Sequence, residues 1–146
     1  MNFLEKRRPL ILSLIIAAVF KIWLVFSNST TFNGDEAVIA TMARHILQGA
    51  KPVFFYGQEY MGSLDAYLVA GGFAIFGEHV WVIRLVQSVL YLLYIVTLWW
   101  LAKLWFKDSL KPAIVVILAA IPPIVVTTYT TMSLGGYGES LLLGNL

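Results

Sequence analysis

The chain has 146 residues, 60% of them hydrophobic and 12% charged, with a mean hydropathy of +0.81. Soluble domains run at about 45–50% apolar and about 25% charged, and a core this small cannot hide the excess, so lipid must solvate much of the surface. The net charge of +2 is too small to point to nucleic acid, and the absence of cysteine excludes disulfides and thiolate metal sites.

Lys6, Arg7 and Arg8 open the chain as a basic segment, followed by an apolar run long enough to cross a bilayer. No small-x-small cleavage site follows, because Lys21, Trp23 and Phe26 intervene, so the run reads as a retained signal anchor over about 9–27. Lys21 is its only charge. That lysine either snorkels toward the nearby surface or serves a lipid phosphate from within the membrane. Asn28-Ser29-Thr30 matches a glycosylation sequon, but it sits at the membrane edge.

A long loop, about 28–82, comes next. Asn33-Gly34-Asp35-Glu36 has the form of a capping box, and Ile39, Met42, Ala43, Ile46 and Leu47 follow the stripe of an amphipathic helix that Gln48-Gly49 would stop. Spacing places Asp35 at the head of the buried stripe and Glu36 on the flank with Ala40 and Arg44. Two readings of the acids stand side by side. Both can answer the positive helix N-terminus, or Asp35 can point into a cavity at the bilayer surface and act as a general base, its basicity raised by partial desolvation. Arg44 is either a phosphate ligand or a solvated face residue. Tyr56, Tyr60 and Tyr67 can stack on a sugar or mark the membrane interface.

Met61 to Phe76 is short for a span and carries Asp65 near its start, so it reads as a second juxtamembrane helix. Asp65 is then either a further carboxylate at a site or the polar end of a surface helix. Spans are expected over about 85–106 and about 112–132, the second broken at Pro122-Pro123, and a further span starts from about 139. With Met61–Phe76 not crossing, the basic N-terminus and the Lys103, Lys107, Lys111 loop share the cytoplasmic side. The first loop and Glu139 then lie outside, in a plasma-membrane protein whose N-terminus is cytoplasmic. The expected fold is an all-α, multi-pass bundle with two juxtamembrane amphipathic helices in its first outer loop.

Asp35-Glu36-Ala37, Ala40, Ala43-Arg44, Leu47, Gly49, Pro52, Tyr60 to Tyr67, Phe76-Gly77 and Arg84-Leu85 give the chain its resemblance. It resembles the GT-C class of membrane glycosyltransferases, nearest to bacterial relatives of dolichyl-phosphate-mannose protein mannosyltransferases and lipid A aminoarabinose transferases. The resemblance implies the N-terminal part of an enzyme that moves a sugar from a polyprenyl phosphate to a protein or glycolipid acceptor outside the membrane, a piece expected to be inactive alone. It implies that Asp35 is the base or acceptor-positioning group, with Glu36 its neighbour and Glu139 a second outer acid. Arg44, Tyr56, Tyr60, Asp65 and Lys21 are the substrate-binding candidates. The Glu-Lys-Pro common in those transferases is absent, since Glu59-Tyr60-Met61 stands there. No protein-bound cofactor is evident, and His45 and His79 lack metal-ligand spacing. A transporter component and a non-catalytic membrane subunit are the rival classes.

Overall fold

The computed structural model describes residues 3–27 and 29–146, so Asn28 of the sequon lies outside the described residues. Among these, the order is α1 (Phe3–Phe26), α2 (Gly34–Leu47), β1 (Phe54–Phe55), β2 (Gln58–Gly62), α3 (Leu64–Phe76), α4 (Val80–Trp105), α5 (Leu110–Ala120), α6 (Ile124–Tyr129) and α7 (Tyr137–Leu143). The chain is mostly helical, but the antiparallel β1–β2 hairpin corrects the all-α expectation.

Among the described residues, two helices are long and apolar enough to cross a membrane, Arg8–Phe26 within α1 and Val80–Trp105. Pro9 is the seventh residue of α1, past its first turn, so the helix forgoes one amide-to-carbonyl bond there. The second of these, α4, begins five residues before the expected span, which brings Arg84 into the same helix as Gln87. After α4, the stretch around Pro122-Pro123 is two helices and not one. Neither proline can donate to the helical ladder, and Thr127 Oγ1 donates to the Pro122 carbonyl at 3.1 Å across the break.

Lys21 lies 4.5 Å from the Tyr91 ring centre, Tyr91 Oη donates to the Ala119 carbonyl at 2.6 Å, and Ile117 lines a groove with Ile11 and Ile15. Those contacts make α1 and α5 run in the same direction, with α4 antiparallel to both. Leu10, Ala17, Ile95, Trp99, Ala113 and Val116 form the apolar seam between the three. The N-terminus and the 106–109 turn therefore share one end, and α2, the hairpin, α3 and the 130–139 segment share the other.

At that second end, Ile39, Met42 and Ala43 of α2 are buried against Phe55, Ala66, Val69, Phe73, Val82 and Ile83. Full burial of residues the size of Ile39 and Met42 contributes about 1.5–3 kcal/mol each. Leu47, expected in the same stripe, is exposed because α2 ends there. The third helix is not amphipathic. Its outward face carries Leu64, Leu68, Ile75 and Phe76, which leaves it apolar nearly all round, and at 13 residues it is about 20 Å long. Gly72 lets it approach α4, since a Cβ there would stand 2.9 Å from Val82 Cγ1.

Candidate active site

The N-terminus of α2 is fastened twice. Asn33 Oδ1 accepts from the Glu36 amide at 2.8 Å, and Glu36 Oε2 accepts from the Asn33 amide at 3.4 Å, the reciprocal box that the sequence predicts. Arg84 on α4 then grips the same carboxylate from the other side, Nε to Oε1 at 3.1 Å and Nη2 to Oε2 at 3.2 Å. Both partners are buried. Glu36, not Asp35, is therefore the inward-facing acid of the pair. Asp35 is exposed at the helix start, which corrects its placement at the head of the buried stripe. The shift has a simple cause, since Arg84 offers a bidentate fork to whichever acid faces it and the capping box already turns Glu36 that way.

A second polar cluster joins four segments. Asp65, at the start of α3, accepts from Gln87 Nε2 at 2.7 Å through Oδ1 and from Ser133 Oγ through Oδ2. Glu139, in the first turn of α7, is buried nearby, and its Oε2 has no hydrogen-bond partner among the described residues. Both acids stand at helix starts outside the two spanning helices. Burial raises the Asp65 carboxyl above its ordinary value, with the bonds from Ser133 and Gln87 pulling the other way. Burial, and then the neighbouring Asp65 carboxylate, push Glu139 up to about 7. Backbone geometry brings α7 close, because Gly136 adopts φ 86° and a Cβ on Gly138 would stand 2.6 Å from Gln87 Oε1.

Lys21 is buried, and its ammonium donates to the Thr130 carbonyl, Thr130 Oγ1 and Thr131 Oγ1, each at 2.8 Å. An ammonium has three protons to donate, so none is left for a lipid phosphate in this arrangement. Lys21 does not snorkel; it ties the end of α6 to α1, two residues before Ser133. Arg44 is exposed and holds Glu78, with Nη2 to Oε2 at 2.6 Å. Tyr56 Oη lies 3.2 Å from His45 Nδ1, and Tyr60 stands out on the hairpin, 83% exposed. Among the described residues no group of three or more His, Asp or Glu side chains could hold a metal ion.

Sequence reasoning missed Arg84, Gln87, Ser133, Thr130 and Thr131 as members of these clusters. The signal for the first two was present, since Arg84 and Gln87 are three apart in an apolar helix and so share a face. Starting the span at 85 set Arg84 outside it. A threonine or serine near a helix end carries no comparable signal.

A family model described as dolichyl-phosphate-mannose-protein mannosyltransferase matches residues 63–135, half of the chain. The match contains Asp65, Arg84, Gln87 and Ser133; Asp35, Glu36 and Glu139 lie outside it. No curated protein and no solved structure matches the chain.

Proposed function

Because the chain belongs to the dolichyl-phosphate-mannose-protein mannosyltransferase family, whose members transfer a sugar from a polyprenyl-phosphate donor, we propose that it carries part of a site that glycosylates an acceptor on the outer face of the membrane. Asp35 is the acceptor-activating base in this reading. It takes the proton from an acceptor hydroxyl as that oxygen bonds to the anomeric carbon. The bond from that carbon to the donor phosphate oxygen breaks, and the polyprenyl phosphate leaves with the electron pair. Cations at the headgroup level would favour the leaving phosphate, and Arg44 is one that can exchange Glu78 for it.

The observation that carries this reading is the division of labour between adjacent acids. Glu36 is fixed by Arg84 and the Asn33 cap, while Asp35 is held by the same rigid helix start and stays open to a ligand. A base on a fastened helix end keeps its geometry without being consumed by structural bonds. Glu139 and Asp65 form the neighbouring acidic wall and act on the sugar or on the position of α7, not as the base, because both are buried.

The test is sugar transfer by the complete protein in bilayers supplied with a polyprenyl-phosphate sugar. Asp35→Asn should lower kcat by about 10²–10⁴-fold, the contribution typical of a general base, with unfolding temperature unchanged. Transfer at the wild-type rate would remove Asp35 from the reaction.

A further inference from the structure

The end of the molecule opposite these acids has its own chemistry. The sequence carries Lys6, Arg7 and Arg8 near the start of α1 and Lys103, Lys107 and Lys111 from the end of α4 to the start of α5, with Glu5 and Asp108 the acids of the same stretches, and Lys111 already holds Asp108 at 3.1 Å. Six of the eight acidic residues lie at the other end. Between α1 and α5 runs a shallow groove of about 440 Å³, lined by Pro9, Ile11, Leu12, Ile15 and Ile117, with Arg8 its one charged wall among the described residues. Ile15 also opens a second groove of about 450 Å³ that continues along α1 past Val19.

Two features fit one occupant. From Arg8 to Val19 the helix rises about 16 Å, close to half of a hydrocarbon core about 30 Å thick. That is the depth of one leaflet and the reach of one acyl chain. Arg8 at the mouth is exposed, and no carboxylate among the described residues holds it. A guanidinium presents a donor fork that matches phosphate geometry. Trp100 and Trp105 are exposed near the same end of α4, where indoles anchor a helix at headgroup level.

We propose that the groove headed by Arg8 is a binding site for one anionic glycerophospholipid, its phosphate on Arg8 and one acyl chain along the Ile11–Val19 face of α1. The negative headgroup answers the basic collar, and the uncharged groove wall accepts hydrocarbon. This site is independent of the sugar-transfer reading, since it uses none of the acidic-end residues.

The test is native mass spectrometry of the complete protein taken from bilayers of equal parts phosphatidylcholine and phosphatidylglycerol. Wild type should retain one phosphatidylglycerol in preference to phosphatidylcholine, and Arg8→Gln should lower that preference by about fivefold, the effect of one juxtamembrane cation. Arg8→Lys should keep most of it, and Lys51→Gln, at the far end, should change nothing. Ile15→Trp should fill the groove and lower retention while the basic collar stays intact. Helicity measured on each variant separates lost binding from lost fold. Equal retention of the two lipids by wild type, or a preference that a folded Arg8→Gln protein keeps in full, would overturn the proposal.

Discussion

Glu36 and Arg84 form a buried ion pair with two contacts, and each also anchors something else: Glu36 the α2 cap, Arg84 the start of α4. Removing one partner leaves an uncompensated buried charge, which costs about 3–5 kcal/mol. Glu36→Gln and Arg84→Met should each lower the unfolding temperature accordingly, while the double variant Glu36→Gln with Arg84→Met should recover part of the loss. Equal and additive single losses would contradict the pairing. Glu139 gives a prediction in pH. Its folded value of about 7 stands above the ordinary 4.5, so the folded state holds the proton longer than the unfolded one. Stability therefore falls as pH rises from about 4.5 to about 7, and Asp65, raised in the same sense, adds to the slope. Glu139→Gln should flatten that slope and unfold at a higher temperature than wild type at pH 8, with the gap closing near pH 4. A slope that the variant retains unchanged would sink this assignment. The capping box was legible from Asn33 and Glu36 alone, because it depends on residues three apart in one chain segment. Which of two adjacent acids turns inward was not, since that choice belongs to Arg84, 48 residues further on.

Helix α7 meets α4 through a glycine, and that contact fixes the acidic cluster. A methyl at Gly138 would press on Gln87 Oε1 and on Leu90, so Gly138→Ala should cost about 1–3 kcal/mol by overpacking and release Gln87 from Asp65. Gly71 on α3 is the contrast. A Cβ there meets nothing within 4 Å, and Gly71→Ala should be stabilising by about 0.5–1 kcal/mol from helix propensity. Thermal unfolding of the two variants checks both signs, and a neutral Gly138→Ala would mean that α7 stands off from α4. The long apolar helices and the Pro122-Pro123 break were readable from composition and from the missing proline donors. The β1–β2 hairpin was not, because strands of two and five residues offer too few positions for an alternating pattern. Gly57, with φ 79°, was its one usable mark. Its short length and Asp65 near its start made α3 look like an amphipathic surface helix, whereas its carboxylate turns inward to Gln87 and Ser133 and its outward face is apolar.

Across the whole molecule, charge is divided by end. The basic residues at the N-terminus and in the 103–111 stretch lie together because α1 and α4 are antiparallel, and the acids of the first loop lie with Glu139 at the opposite end. The sign of each end was legible in the sequence, but the meeting of Asp65 with Ser133 and Glu139 depends on packing that no local pattern encodes. The account requires the acidic end to work on the non-cytoplasmic side, as the positive-inside bias favours. Single cysteines report this directly, since the chain has none of its own. Glu59 and Ser109 are exposed, one at each end; Ser63 is unsuitable, being buried with its hydroxyl donating to Pro52 and Val53 carbonyls. In sealed right-side-out vesicles, a membrane-impermeant maleimide should label Glu59→Cys at once and Ser109→Cys only after the membrane is opened. Labelling of Ser109→Cys in intact vesicles, with Glu59→Cys protected, would place the acids in the cytoplasm and contradict the proposed outer-face transfer.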